Sequence, residues 1–173
     1  MKITILDKTT MGDDLSFKAF RAFGEVKIYE KTFAEECMEH VADSDVIILN
    51  KVKITREVME AAPNLKLVCV FATGYDNIDI NFARERGIAV CNVPGYSTDS
   101  VVLYTMATVL ALVSHLNEYN EYVRDGFYSN SDSPNKITPV FHELRGKTFG
   151  IIGCGNIGKS VLKVAEAFGA KVI

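Results

Sequence analysis

Short apolar runs alternate with helical patterns over the first half of the chain. The runs predict five strands, at Lys2–Leu6, Glu25–Tyr29, Val46–Leu49, Leu67–Phe71 and Ile88–Asn92. The segments between them predict helices, at Asp14–Phe23, Thr32–Val41, Thr55–Ala62 and Asp79–Arg86. A run such as Val46–Leu49 is apolar at every position, which is typical of a parallel sheet covered on both faces. Because parallel strands need right-handed crossovers, the pattern predicts a five-stranded, flavodoxin-like α/β domain over residues 1–95.

The pattern changes after Asn92-Val93-Pro94-Gly95, where Pro and Gly end the last strand. One long helix is predicted from Ser100 to Arg124, about 36 Å in length at 1.5 Å per residue. The first half of this helix is apolar on most faces, so we expect it to be buried between layers or against another subunit. Residues 125–139 are rich in Ser, Asn, Asp and Pro, and they predict a surface loop.

A second α/β pattern follows Gly146. It predicts a strand, a helix and a further strand, at Thr148–Ile152, Asn156–Phe168 and Ala170–Ile173. The turn between the first two has the spacing GxGxxG, with Gly153 for the tight turn, Gly155 for close approach to a pyrophosphate, and Gly158 for close packing of helix on strand. Such a pattern alone is weak evidence, since a merely structural turn also uses glycine. Its place between a strand and a helix favours dinucleotide binding and the start of a Rossmann domain.

The segment 71–79, Phe-Ala-Thr-Gly-Tyr-Asp-Asn-Ile-Asp, follows the fourth predicted strand. It therefore lies at the carboxyl edge of the sheet, where open α/β sheets bind ligands. Backbone N–H groups around Gly74 would suit a carboxylate. The alternative is a structural turn in which Asp76 or Asn77 caps the next helix, and the sequence leaves both open.

Composition excludes several classes of function. The net charge of −3 over 173 residues gives no basic footprint for nucleic acid. The longest apolar stretch, Val101 to Val113, falls short of the roughly 20 residues that span a bilayer, so no membrane partner is expected. Four cysteines without CxxC spacing predict buried thiols in a reducing compartment, and the cytoplasm is the expected location.

Three motifs in register carry a resemblance to a known family. The sequences ATGYDNID, GIAVCNVPGYSTDSV and KTFGIIGCGNIGKSV, in this order and spacing, closely resemble D-isomer-specific 2-hydroxyacid dehydrogenases. The branch of glycerate dehydrogenases and hydroxypyruvate reductases looks nearest, and the resemblance runs over the whole chain. It implies an NAD(P)-dependent oxidoreductase that reduces a small 2-keto acid, such as hydroxypyruvate or glyoxylate, to a D-2-hydroxy acid.

The resemblance also implies roles for particular residues. The residues implied to bind substrate are Thr73, Gly74, Tyr75 and Tyr96. The residues implied to bind cofactor are Thr73, Thr105, Gly153, Gly155, Asn156, Ile157 and Gly158. Tyr104 departs from the pattern, since many relatives have a His before the Thr of the long helix. The implied cofactor is NAD, and NADP stays open because the acidic residue that would bind the ribose falls beyond Ile173.

The same resemblance predicts what the chain lacks. Relatives polarise and protonate the carbonyl with an Arg, a Glu and a His that come well after the glycine motif, so no catalytic residue is expected in this chain. We therefore expect residues 96–173 to be the start of an NAD-binding domain, truncated and inactive alone. A homodimer with residues 100–173 at its interface is also expected. The alternative function is a dinucleotide-sensing interaction protein of corepressor type on the same scaffold.

Overall fold

The computed structural model describes residues 1–132 and 135–173. The chain forms two compact units, Met1–Pro94 and Gly95–Ile173. Each unit has its own parallel sheet, and the first is the larger sheet, with five strands against two.

The first unit is built on a sheet in which every neighbouring pair of strands is parallel. Its strands are β1 Lys2–Ile5, β2 Glu25–Ile28, β3 Val46–Leu49, β4 Leu67–Val70 and β5 Ala89–Cys91. Their spatial order is β2-β1-β3-β4-β5, which is the flavodoxin order. The predicted flavodoxin-like fold of this unit is therefore confirmed.

Three short α-helices connect the later strands of the first unit. They are α1 Ala34–Val41, α2 Arg56–Glu60 and α3 Ile80–Glu85. The predicted helix at Asp14–Phe23 is a 3-10 helix restricted to Phe17–Ala22, and another 3-10 turn covers Lys8–Thr10. Thr55 caps α2 by accepting from the N–H of Val58, which explains why that helix begins where it does.

The central strand β3 is buried at all four positions, as its apolar run predicted. Its alternate side chains enter two cores. Ile47 and Leu49 pack with residues of α1, α2 and α3, whereas Val46 and Ile48 pack with Phe17 on the opposite face. Full burial of one such side chain contributes about 1.5–3 kcal/mol, so both faces stabilise the sheet that carries the loops described below.

The second unit contains four helices and two short strands among its described residues. They are α4 Thr98–Val113, α5 Leu116–Arg124, α6 Phe127–Asn130, β6 Thr148–Phe149, α7 Asn156–Ala167 and β7 Lys171–Val172. The strands β6 and β7 pair in parallel, and α7 connects them. This β-α-β arrangement agrees with the predicted opening of a Rossmann fold.

The prediction of one helix over 100–124 is wrong. His115 adopts a left-handed conformation with φ of 50°, and it separates α4 from α5, whose axes differ by 66°. A residue with positive φ cannot continue a right-handed helix. Across the described residues no single helix is long and apolar enough to cross a membrane, and only this bent pair reaches the required length and composition when taken together.

The long helix was expected to be buried between layers or against another subunit; burial between layers of this chain is wrong for most of α4, and burial against another subunit stays a prediction. Within the chain only Met106 of α4 is buried, while Leu103 is 68% and Leu112 70% exposed. The predicted loop over 125–139 contains the short helix α6, and two positions of that loop, 133 and 134, lie outside the described residues.

The four cysteines are free, but they do not share one environment. Cys37 is buried, and its burial raises the pKa of the thiol to about 11. Cys69 is half-buried, and burial raises its pKa as well. Cys91 and Cys154 are exposed, which corrects the expectation that the cysteines are buried. Cys91 lies on β5, an edge strand, where one side of the strand has no neighbour.

Candidate functional site

The carboxyl ends of the strands in the first unit meet at one edge, because the strands are parallel. The loops after β1, β3, β4 and β5 therefore lie side by side at this edge. The loop after β4, which contains Thr73, Gly74 and Tyr75, is exposed. Open α/β sheets bind ligands at this edge, so the topology supports the predicted location of a site.

Hydrogen bonds attach this loop to the segment after β5. Thr73 Oγ1 donates to the carbonyl oxygen of Val93 at 3.0 Å, and Asn92 Nδ2 donates to the carbonyl oxygen of Thr73 at 2.7 Å. The N–H of Val93 donates to the carbonyl oxygen of Ala72 at 3.0 Å. The segment after β5 thus holds both the side chain and the backbone of Thr73.

The loop leaves several backbone donors available. No partner among the described residues accepts from the N–H groups of Thr73, Gly74 or Tyr75. A Cβ added at Gly74 would lie 3.3 Å from Asp76 Oδ1, so a larger residue here would crowd the loop. Exposed and unpaired N–H groups in a turn suit a carboxylate, as the sequence predicted.

The alternative reading of this segment named the wrong cap. Asp79, and neither Asp76 nor Asn77, caps α3 by accepting from the N–H of Phe82 at 3.0 Å. The side chain of Asn77 instead donates to the carbonyl oxygens of Asn50 and Val52, at 3.3 and 2.8 Å. Asn77 therefore connects the loop after β4 to the loop after β3.

The glycine turn of the second unit lies between β6 and α7. Gly153 has φ of +102°, a conformation that L side chains rarely adopt, so the tight turn requires glycine there. Gly155 precedes the first residue of α7, and a Cβ added to it would meet nothing within 4 Å. The space that a side chain would fill at Gly155 is thus open.

Gly158 has the opposite environment. A Cβ added there would overlap the carbonyl oxygen of Gly153 and lie 3.3 Å from Ile151 Cγ2. Glycine at this position therefore allows α7 to approach the turn closely, as its place in the motif predicted.

The first turn of α7 has the features of an anion site. The N–H of Lys159 donates to the carbonyl oxygen of Gly155, and it is the first N–H of α7 that has an acceptor. The N–H groups of Asn156, Ile157 and Gly158 have no partner among the described residues. These donors and the helix dipole favour negative charge. The open space at Gly155 and these donors fit a pyrophosphate group.

Two further predicted site residues belong to the second unit. Tyr96 is 64% exposed and lies just before α4. Thr105 is half-buried, and its Oγ1 donates to the carbonyl oxygen of Val101 at 2.7 Å. The substrate and cofactor roles of Thr73, Gly74, Tyr75, Tyr96 and Thr105, like those of the glycine turn, stay predictions.

The three histidines have structural or exposed environments, and His142 is the exposed one. Thr32 Oγ1 donates its single proton to Leu6 at 2.6 Å, so Nδ1 of His40 carries a proton and donates to that oxygen at 3.0 Å. The ring of His40 stacks on Tyr29 with centroids 3.5 Å apart. The backbone N–H of Glu118 lowers the pKa of its own carboxyl, and His115 Nδ1, 3.4 Å from Glu118 Oε1, lowers it further.

Sequence reasoning missed Asp7. This residue is only 3% exposed, and its carboxylate accepts hydrogen bonds from the N–H groups of Asn50, Lys51 and Val52. The available signal was an acidic residue directly after a buried strand, since an acid at the carboxyl edge of a parallel sheet faces the neighbouring loops.

The sequence of this chain matches two family models. The catalytic domain of D-isomer-specific 2-hydroxyacid dehydrogenases matches residues 3–138. The NAD-binding domain of the same enzymes matches residues 106–173. The chain belongs to the D-isomer-specific 2-hydroxyacid dehydrogenase family. The resemblance that the three motifs carried is thereby confirmed.

Individual family members give the extent of the similarity. A hydroxypyruvate reductase of Blautia hydrogenotrophica is 40% identical over 178 aligned positions, which cover 100% of this chain and 55% of the relative. An acyclic imino acid reductase, solved with NADPH and D-Arg, superposes with a TM-score of 0.84 at 29% identity over 99% of this chain and 55% of its own.

A D-lactate dehydrogenase of Aquifex aeolicus, solved with NAD and lactic acid, has a TM-score of 0.81 at 27% identity, over 99% of this chain and 50% of its own. The chain thus spans about half the length of these relatives.

Proposed function

We propose that the full-length protein encoded by this gene reduces a small 2-keto acid to a D-2-hydroxy acid, with NADH or NADPH as the hydride donor. The observation that carries the proposal is the glycine turn at 153–158, which presents unpaired N–H groups at the start of α7 in a chain of this family. The exposed N–H groups of the loop after β4 supply a second anion site, of the kind that a keto-acid carboxylate needs.

The two sites divide the binding of the reactants in this proposal. Thr73, Gly74 and Tyr75 hold the substrate carboxylate through backbone N–H groups, and Tyr96 lines the substrate cleft. Gly155, with Asn156 and Ile157, holds the cofactor pyrophosphate. The nicotinamide cofactor supplies the hydride when bound. Each site thus holds the anionic group of one reactant, and holding reactants in place is a large part of the barrier reduction in such reactions.

Hydroxypyruvate and glyoxylate are the proposed substrates. The hydroxypyruvate reductase of Blautia hydrogenotrophica supports the former by its similarity over the whole chain. NAD is the proposed cofactor, with NADP as the alternative, since solved relatives hold either one.

We further propose that these 173 residues alone do not catalyse the reaction, because the Arg, Glu and His that the family uses have no assigned counterpart among them. The test compares the 173-residue chain with the full-length protein, using hydroxypyruvate or glyoxylate and either NADH or NADPH. Turnover by the full-length protein alone supports both proposals. Turnover by the short chain contradicts the second.

If the protein is instead a corepressor-type interaction protein, the same assay should give a different result. The full-length protein would then bind NADH, by calorimetry, without reducing any 2-keto acid. That result contradicts the proposed enzymatic function and favours the interaction protein instead.

We also propose that this chain forms a homodimer and is located in the cytoplasm. Large apolar side chains of the second unit are exposed within one chain, including Leu103, Leu112 and Phe127. An extensive apolar surface is uncommon on a monomer. Light scattering at micromolar concentrations tests this: a mass that stays near 19.1 kDa as concentration rises contradicts a dimer. The four free cysteines agree with a reducing compartment.

A further inference from the structure

Asp7 places a buried carboxylate at the carboxyl edge of the first sheet. Its Oδ1 accepts from the N–H of Asn50 at 2.9 Å. Its Oδ2 accepts from the N–H groups of Lys51 and Val52, at 2.6 and 3.3 Å. All three donors belong to the loop after β3, so one side chain fixes that loop by three backbone hydrogen bonds.

No basic side chain forms an ion pair with Asp7 among the described residues. A carboxylate that is nine-tenths buried costs free energy, and hydrogen bonds from backbone N–H groups are what offset the cost here. An apolar residue at this position would avoid the cost but would leave three N–H groups of the loop without an acceptor. The carboxylate of Asp7 therefore stabilises the loop after β3 more than it stabilises the core.

The fixed loop in turn holds the next one. Asn77 Nδ2 donates to the carbonyl oxygens of Asn50 and Val52, at 3.3 and 2.8 Å. In addition, the N–H of Ile54 donates to the carbonyl oxygen of Asn77 at 2.9 Å. A continuous set of hydrogen bonds therefore runs from Asp7, through the loop after β3, to the loop that contains Thr73–Tyr75.

The segment after β5 restrains the other end of Thr73–Tyr75. Thr73 donates to the carbonyl oxygen of Val93 and accepts from Asn92 Nδ2. Asn77, two residues after Tyr75, supplies the restraint from the loop after β3. The N–H groups that would receive a carboxylate lie between these two attachments.

We propose that Asp7 and Asn77 are positioning residues, which set the geometry of the Thr73–Tyr75 N–H groups toward the substrate carboxylate. This inference rests on the proposed function. Neither residue touches substrate in it. Asp7 acts through Asn50, Lys51 and Val52, and Asn77 transmits that restraint to the substrate loop.

The test uses isosteric variants of the full-length protein. Asp7→Asn replaces one acceptor oxygen by a donor that faces backbone N–H groups. Asn77→Asp replaces a donor by an oxygen that faces two carbonyl oxygens. Asp45→Asn is the matched control: Asp45 accepts from the N–H of Lys2 at 2.8 Å and from Lys66 Nζ at 3.0 Å, and it precedes β3 at the amino edge of the same sheet.

We expect Asp7→Asn and Asn77→Asp each to raise the KM for hydroxypyruvate about tenfold or more. The first variant loses charge-assisted hydrogen bonds, and the second places a carboxylate against two carbonyl oxygens. The KM for NADH should change less than about twofold, and Asp45→Asn should change neither constant. A KM for hydroxypyruvate that stays at the wild-type value in both variants overturns the proposal. An equal rise in Asp45→Asn overturns it too, since the effect would then be general to the sheet.

A second measurement separates this proposal from the proposed function. Hydrogen exchange on the 173-residue chain reports on the loops without any turnover. We expect Asp7→Asn to accelerate exchange of peptides that cover 50–54 and 78–79, because the N–H groups of Ile54, Ile78 and Asp79 donate to Asn77, Tyr75 and Ile54. Peptides that cover α7 should keep the wild-type rate. Unchanged exchange at 78–79 overturns the positioning role even if the protein proves to be a reductase. If the full-length protein reduces no 2-keto acid, the proposed function is contradicted. The exchange result would still show whether Asp7 restrains the loop after β4.

Discussion

The loop at Thr73–Tyr75 and the turn at Gly153–Gly158 both present N–H groups that find no acceptor within residues 1–132 and 135–173, but they are built differently. Side chains hold the first: Thr73, Asn77 and Asn92 each hydrogen-bond a neighbouring backbone segment. The turn depends on the absence of side chains, since Gly153 has a positive φ and Gly158 lies against the turn itself. A loop fixed by side chains loses function gradually when they are changed. A turn fixed by glycine loses it abruptly when a Cβ is added.

Gly158→Ala should have the largest effect, because its Cβ overlaps the carbonyl oxygen of Gly153. We expect the second unit to lose about 3 kcal/mol of its free energy of unfolding, the upper part of the range for overpacking. Hydrogen exchange of peptides within 95–132 and 135–173, against peptides of the first unit, measures it. Wild-type exchange in the second unit would show that α7 relaxes at no cost and would contradict the comparison.

Gly155→Val should weaken cofactor binding strongly without unfolding either unit. Nothing lies within 4 Å of a Cβ at this position, so the protein itself tolerates the side chain. The valine would fill the space proposed for the pyrophosphate. In the full-length protein we expect the Kd for NADH to rise about 100-fold, equivalent to about 2.7 kcal/mol, while hydrogen exchange stays at the wild-type rate. Calorimetry measures the Kd, and an unchanged value would contradict this assignment of the turn.

Thr73→Val tests the loop that side chains hold. The substitution keeps the shape of the side chain and removes the hydrogen bond from Oγ1 to Val93. We expect the first unit to lose about 1 kcal/mol of its free energy of unfolding, the net value of one hydrogen bond. Urea unfolding followed by circular dichroism measures it. A loss as large as that expected for Gly158→Ala would mean that the two sites do not differ as described.

Asp45 should give the smallest effect, and one that depends on pH. The N–H of Lys2 and the ammonium of Lys66 lower the pKa of this carboxyl below its ordinary 3.8. A lowered folded-state pKa stabilises the protein above the unfolded value, and the contribution disappears as the pH falls through the folded value. Asp45→Asn should thus lower the thermal midpoint slightly at pH 6 and not at pH 2. An equal difference at both pH values would contradict the sign.

The sequence predicted the first unit well because its signal is strong. Val46–Leu49 is apolar throughout and is buried throughout, and the repeated β-α units predicted the flavodoxin-like sheet that is observed. The long helix failed for a physical reason. Hydrophobic periodicity does not record the backbone conformation of one residue, and His115 in the left-handed region ends α4 without a proline or glycine to mark it.

The part of the candidate site that a sequence motif marks was predicted. The part that depends on contacts between residues far apart in the sequence was missed. The glycine spacing at 153–158 determines its own geometry, so sequence alone located it. Asp7 and Asn50 are 43 positions apart, and their hydrogen bond depends on β1 and β3 being neighbours in the sheet. No local pattern encodes that adjacency. Cys91 was misplaced for a similar reason, because exposure on an edge strand is a property of the assembled sheet.

The hydrogen bonds from Asp7 to the loop after β3, and from Asn77 to that same loop, also bear on how this protein can evolve. Asp7 and Asn77 both hydrogen-bond the backbone of Asn50–Val52, so a change that moves this segment affects the partners of both side chains. Substitutions at Asp7 and Asn77 should therefore be epistatic, with an interaction energy of the kind that contacting residues show. A lineage that changes its substrate through one loop would have to pass through changes in the other, which restricts the order in which mutations accumulate.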